Sequence, residues 1–493
     1  MRTQDFNRLV VVSNRLPVVL KPSGDSWEIN PGSGGLVTAL APVLGQMGGL
    51  WIGWPGTTAD ETMNEPMREF AREQGYSLHP VPLSQEDIQG YYYGFSNEVL
   101  WPLLHGFHSR CTFEQPWYWE KYQEVNRIFA REILEATSEE DYIWVHDYHL
   151  MGVAAELKGM RASRRCGFFL HIPFPSPEIF LKMPWRRQIL AGMLDFELVG
   201  FQTQADCINF LHCLRALCPW VDHEESGNLL RIRCEDRSVN AGCFPISIDF
   251  DQFEGLAQSK EVEHRTAKLN LFHPDQQLIL GVDRLDYTKG IPQRLMALDK
   301  ALTLYPELRG RISLLQLLVP SREEVAEYQA LKERIERMVG EINGRYTQPG
   351  WIPIHYLYRS LDRQELVSFY QASGMALITP LWDGMNLVAK EYCACNHRED
   401  GALVLSEFAG AASQLYEDAI LVNPYDVNGV AEAIRRGFYM HASERQARMS
   451  RLRSTIRTYD IHFWLESFLK AAFEGKALEF PRDGLRSYLP KIG

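Results

Sequence analysis

No stretch of this sequence approaches the ~18 uninterrupted apolar residues of a membrane-crossing helix. The opening apolar run, Leu9–Val12, stops at Ser13-Asn14-Arg15. That is too short for the core of a secretory leader, and no cleavage pattern follows. Net positive charge is also lacking: 51 Lys and Arg face 63 Asp and Glu, a formal charge of −12. An acidic surface repels a phosphate backbone, so nucleic acid and membranes are set aside as partners. Any anionic ligand must be held by local cations working against the overall field. The nine cysteines show neither paired zinc-ligand spacing nor a C-x-x-C redox pair, since a single residue separates Cys393 from Cys395. They read as inert thiols in a reducing compartment, which predicts a cytoplasmic protein. Internal repeats and low-complexity tracts are absent too, which excludes solenoids and disordered tails.

What is present is apolar mass. Hydrophobic residues make up 45% of the 493, with 12 Trp, 21 Tyr and 24 Phe, enough for large packed cores. At roughly 150 residues per domain the length gives about three units, realistically two large ones. Short apolar runs recur at Leu9–Val12, Tyr142–Val145, Gly167–Leu170, Leu198–Phe201, Leu278–Val282, Ile312–Leu317, Ala376–Ile378 and Leu403–Leu405. Several are apolar at every position, as parallel strands covered on both faces are. Stretches such as Trp117–Thr137 and Ser321–Gly340 are long enough to be the crossover helices between them. This alternation predicts an α/β protein with parallel sheets. Cys243-Phe244-Pro245-Ile246 reads as a strand end entering a connector, which divides the chain into units of 1–245 and 246–460.

Ligands of such sheets bind beyond the carboxyl ends of the strands, so the loops there carry the chemistry. The first strand is followed by Arg15 and, after a turn, by Gly32-Ser33-Gly34-Gly35. Those glycines precede an apolar helical stretch but do not form a G-x-G-x-x-G pattern. Trp54, Tyr92 and Trp101 lie in aromatic runs beside Gly, Asn and Pro, the mixture by which proteins pack a sugar's C–H face and read its hydroxyls. His146-Asp147-Tyr148-His149 sets an acid between two imidazoles, without the further ligands a metal needs. His171 ends a strand before a proline-stiffened loop in which Ser176 reads as an N-cap. In the second half, Arg284 and Lys289 project from one loop, an arrangement suited to a diphosphate. Asp383 then reads as the cap of a helix whose amides, from Gly384 onward, face an anion. Glu391 follows at a distance suited to ribose hydroxyls.

Taken together, HDYHL, FFLHIPFPSPEIF, RLDYTKG and DGMNLVAKEY resemble the trehalose-6-phosphate synthase family of retaining glycosyltransferases over nearly the whole chain. The resemblance implies two Rossmann-like domains facing a central cleft, the GT-B architecture, with a closing helix at 461–493 packing back on the first. It implies a UDP-glucose (or other nucleotide-glucose) donor, a glucose 6-phosphate acceptor and no metal or other cofactor. Arg15, Trp54, Tyr92, Trp101, Asp147 and Arg322 match acceptor-binding positions. Gly34, Gly35, His171, Arg284, Lys289, Asp383, Gly384, Met385, Asn386, Leu387, Val388 and Glu391 match donor-binding ones. Catalysis is assigned on the same ground to Asp147, His171, Arg284 and Lys289. Trp382 departs from the pattern, standing where the family usually carries Arg; it either tunes donor choice or packs the base of the loop. A glycerol 3-phosphate acceptor, a catalytically silent sugar-phosphate sensor and self-association stay open at this point.

Overall fold

The structure, a computed structural model, describes residues 7–23, 26–32, 35–58, 61–226, 228–234, 237–272, 275–322 and 325–480. They divide into two compact units, residues 7–246 with 463–480, and residues 247–462.

The first unit is built on a nine-stranded sheet, from β1 (Leu9–Arg15), β4 (Leu50–Trp54), β5 (Ser77–Pro80), β6 (Tyr142–His146), β7 (Arg165–Phe169), β8 (Leu198–Phe201), β9 (Asp222–Ser226), β10 (Leu229–Cys234) and β11 (Arg237–Cys243). Its order is β5-β4-β1-β6-β7-β8-β11-β10-β9, parallel from β5 to β11, with an antiparallel hairpin at the far edge. A separate hairpin, β2 (Val18–Ser23) with β3 (Ser26–Pro31), follows β1. In β1, Leu9 to Asn14 are buried and only Arg15 emerges, so the chain delivers a cation at the sheet's carboxyl edge.

The second unit is a six-stranded, wholly parallel sheet. Its strands are β12 (Gln277–Arg284), β13 (Ile312–Val319), β14 (Ile354–Tyr358), β15 (Ser373–Ile378), β16 (Ala402–Ser406) and β17 (Ile420–Val422). The order β14-β13-β12-β15-β16-β17 is the Rossmann order, with the direction of winding reversing between β12 and β15. The first sheet reverses in the same way between β1 and β6. Each unit therefore carries one topological switch point, and a crevice opens at the carboxyl ends of the strands flanking it.

Three expectations are corrected. The helix read over Ser321–Gly340 runs from Ala326 to Tyr346, because Arg322 holds φ 50, a left-handed conformation that no α-helix contains. The closing helix runs Ile461–Glu474 and stops at Gly475, φ 67, rather than continuing to 493; residues 481–493 lie outside the described residues. From Phe463 on, its apolar face belongs to the first unit. Trp464 and Phe468 stack on Trp144 at 4.8 and 4.2 Å between centroids, and Trp464 Nε1 donates to Phe244 O at 3.0 Å. Third, the aromatic run at 91–97 is not a loop. It lies in a wide helix, Ile88–Leu100, where the Trp101 N–H reaches back five residues to Ser96 O. Among the described residues, no helix is long and apolar enough to cross a membrane.

Candidate active site

At the first switch point, β1 delivers Arg15 and β4 delivers Trp54. The Arg15 guanidinium lies 4.4 Å from the Trp54 ring centre and 5.8 Å from that of Tyr92, a cation held by aromatic faces rather than by an acid. Gly56, φ 96, leaves it room, since a Cβ there would meet the guanidinium. Tyr92 stacks on His149 at 6.0 Å. Asn97 Nδ2 donates to Tyr92 O at 2.7 Å, and Tyr148 Oη donates to Asn97 Oδ1 at 3.1 Å. Trp101 is buried against Tyr148 and His105.

Asp147 follows β6 with φ 75 and ψ 165, a region that side chains other than glycine rarely enter. Three contacts hold it there: its N–H donates to Phe169 O at 2.8 Å, its carbonyl accepts from Leu150 N at 3.1 Å, and Oδ1 accepts from His171 N at 3.3 Å. Among the described residues five non-glycine positions have positive φ. Three of them, Asp147, Arg322 and Asn386, are positions singled out from sequence. Backbone strain concentrated at such positions is the mark of a working site.

His171 sits beyond β7, with Nε2 3.0 Å from Nδ1 of the fully buried His146. Burial pulls the His171 imidazole down to about 3, and it pulls His146 well below its ordinary value with His171 adding to the effect. Both rings are therefore neutral at physiological pH.

The second switch point is ionic. Arg284 is the exposed end of β12, and Lys289 lies in the turn Tyr287–Lys289 that follows. Lys289 Nζ pairs with Asp383 Oδ2 at 2.5 Å, across from the loop after β15. Asp383 is not the cap predicted for it. Asn386 caps the helix Leu387–Cys395, its Oδ1 accepting from Ala389 N at 3.2 Å while its Nδ2 donates to Asp383 Oδ2 at 3.1 Å. With its carboxylate occupied by Lys289 and Asn386, Asp383 ties the β12 turn to the β15 loop. Gly384 and Met385 are buried between Asp383 and the cap, and Leu387 and Val388 open the helix half-buried. Glu391 accepts from Tyr370 Oη at 2.6 Å, and burial raises its carboxyl above the usual range. Arg322 belongs to this second unit. It reaches Asp286 at 3.5 Å and donates to Tyr328 Oη. Burial would raise Asp286, but Arg322, Lys289 and Arg284 outweigh it and hold the carboxyl low. Trp382, in the loop after β15, is 38% exposed. Gly35 opens the helix Gly35–Met47 in the first unit, while Gly34 lies outside the described residues. No group of three or more metal-ligating side chains occurs among the described residues.

Sequence reasoning missed the supports beneath these loops. Arg294 is wholly buried, donating to Asp283 Oδ2 at 2.6 Å, Gln316 Oε1 at 3.2 Å and Thr379 Oγ1 at 3.1 Å. It joins β12, β13 and the end of β15 directly under Arg284 and Lys289. Asp286 caps their turn, Oδ1 accepting from Thr288 N at 2.9 Å. The one available signal was its place within RLDYTKG, two residues after Arg284.

Two Rossmann units, one with aromatic rings, imidazoles and an acid at its switch point and the other with cations and a helix N-terminus, define a GT-B glycosyltransferase. The chain matches glycosyltransferase family 20 over residues 7–474. It is 44% identical over 478 residues to a trehalose-6-phosphate synthase of Mycolicibacterium smegmatis, covering 95% of this chain and 92% of that one. Among solved structures it resembles a UDP-forming α,α-trehalose-phosphate synthase of Burkholderia xenovorans in complex with glucose-6-phosphate. The TM-score is 0.86 at 33% identity, over 94% of this chain and 100% of that one. It also resembles the E. coli enzyme bound with UDP-2-fluoro glucose, at TM-score 0.85 and 36% identity, over 95% and 99%. The chain belongs to glycosyltransferase family 20.

Proposed function

We propose that the chain transfers the glucosyl group of UDP-glucose to glucose 6-phosphate with retention, releasing UDP and α,α-trehalose 6-phosphate. The observation that carries this reading is the second switch point, where Arg284 and Lys289 stand beside the N-terminus of the helix Leu387–Cys395. Such an arrangement stabilises negative charge growing on a leaving diphosphate. The bond between the anomeric carbon and the diphosphate oxygen breaks through an oxocarbenium-like state. The acceptor's anomeric hydroxyl bonds to the same face, and its proton passes to the departing phosphate oxygen. No protein nucleophile takes part, and Asp147 orients the acceptor rather than acting as base. His171 contacts the donor sugar, Asp383 and the 384–388 segment hold sugar and phosphate, and Glu391 takes the ribose. Gly34 and Gly35 close over the donor. Arg15, Trp54, Tyr92, Trp101 and Arg322 hold the acceptor. Arg284 and Lys289 supply the charge stabilisation that a divalent ion gives other transferases, so turnover is expected to survive EDTA. Nine free thiols, six of them buried, fit a cytosolic location.

The test is UDP release from UDP-glucose with glucose 6-phosphate, glycerol 3-phosphate and free glucose as acceptors, and NMR of the product. Turnover with glucose 6-phosphate and an α,α linkage is the expected result. Preference for glycerol 3-phosphate, or UDP release independent of any acceptor, overturns it.

A further inference from the structure

We propose that His146 is a positioning residue for His171: Nδ1–H of His146 donates to Nε2 of His171. His171 is thereby fixed with its proton on Nδ1, the ring nitrogen left to face the donor sugar. The inference rests on His171 as the donor-sugar contact.

The two imidazoles come from neighbouring parallel strands. His146 ends β6 in register with Phe169, two residues before His171. The main chain of His171 is held on both sides, its N–H by Asp147 Oδ1 at 3.3 Å and its carbonyl by Gln202 Nε2 at 3.4 Å. What stays undetermined by the backbone is the ring, and His146 Nδ1 lies 3.0 Å from its Nε2. Both rings are neutral, so each carries one proton and the contact needs one donor and one acceptor. Only two arrangements satisfy it. Either His146 donates from Nδ1, or His171 donates from Nε2 and His146 carries its proton on its own Nε2.

The surroundings of His146 choose between them. Its Nε2 is buried and meets no hydrogen-bond partner among the described residues; the Trp144 and Phe169 ring centres lie 4.7 and 6.4 Å from the centre of the imidazole. An orphaned buried N–H is rarer in proteins than an orphaned acceptor. The first arrangement leaves a lone pair there, and the second leaves an N–H. The first is therefore selected, and the tautomer of one ring dictates that of the other. A fixed N–H donor toward the ligand matches a sugar hydroxyl oxygen as acceptor, and with no second tautomer to populate, no part of the binding energy is spent choosing one.

The experiment labels histidine with ¹⁵N in the full chain without ligands and reads both ring nitrogens of His171 by long-range ¹H–¹⁵N correlation. Assignment comes from the signals lost in His171→Gln. A single tautomer protonated at Nδ1 is expected. Protonation at Nε2, or an average of two tautomers, overturns the proposal. Kinetics supply the second arm. His146→Leu removes the donor and lowers kcat roughly tenfold, the worth of one oriented hydrogen bond, with the KM for glucose 6-phosphate unchanged. His146→Asn places an amide N–H where Nδ1–H stood and recovers most of that loss. Equal losses in the two variants mean that His146 only fills space, and the positioning role fails. If the tautomer is as expected but no acceptor is glucosylated, the donor reading falls and the pairing stands.

Discussion

The two sheets share a winding order and a switch point, yet hold opposite chemistry there. In the first unit Arg15 lies on the faces of Trp54 and Tyr92, and His146 and His171 are neutral. In the second, Lys289 with Asp383, Arg322 with Asp286 and Arg294 with Asp283 form three ion pairs around one crevice. The difference teaches that topology supplies only the place, while side chains decide which part of a ligand is read there. Flat rings suit a sugar's C–H face; fixed cations suit a diphosphate.

Breaking the ionic side should cost most. Arg294→Met strands Asp283 in the sheet and should lower stability by about 3–5 kcal/mol, read as a lower urea midpoint; adding Asp283→Leu should return much of it. Lys289→Ala should lower kcat roughly 10²–10³-fold. Arg15→Ala, on the aromatic side, should mainly raise the KM for glucose 6-phosphate. If both substitutions act on KM alone, the division of labour is wrong.

The strained side should respond in the opposite sense. Asp147→Gly relieves an unfavourable φ and should add about 1–3 kcal/mol of stability while lowering kcat/KM. A loss of both would show that the Asp147 contacts outweigh the strain.

The last contrast lies in pH. Burial lowers Lys390 from 10.5 to about 7, so between those values the unfolded chain binds more protons. Stability therefore rises with pH across that window, by at most about 1.4 kcal/mol per unit. His171 is lowered from 6.5 to about 3, so stability falls as pH drops through that second window. Urea midpoints against pH should lose the alkaline slope in Lys390→Met and part of the acid slope in His171→Gln. An unchanged profile in either variant removes that group from the account.

The eight apolar runs read from the sequence all mark strands, with Leu170 alone lying one residue past the end of β7, because fully buried parallel strands leave a continuous signal. The strand β9, Asp222–Ser226, left none: it is a polar edge strand held by main-chain pairing with β10. The helix Ile88–Leu100 was unreadable because its hydrogen bonds reach back five residues and widen the turn beyond the period of 3.6 that reveals an amphipathic helix. At the site, residue types were legible and allegiances were not. Asp383 and Asn386 are both good caps by type, and only the nearness of Lys289 decides between them. Arg294 looks like a surface residue of the helix Ile291–Leu304 until Gln316 and Thr379 arrive from other strands.

The return of residues 463–480 to the first unit has a consequence for biogenesis. A ribosome making this chain finishes every strand of the second sheet before it makes Trp464 and Phe468. Until those rings emerge, Trp144 lacks the partners that stack on it in the finished fold. The contiguous unit, 247–462, can thus close its sheet while the earlier-made one still waits for its last piece. Order of synthesis and order of completion run in opposite directions: the unit begun first receives Trp464 and Phe468 only after every strand of the second sheet has been made.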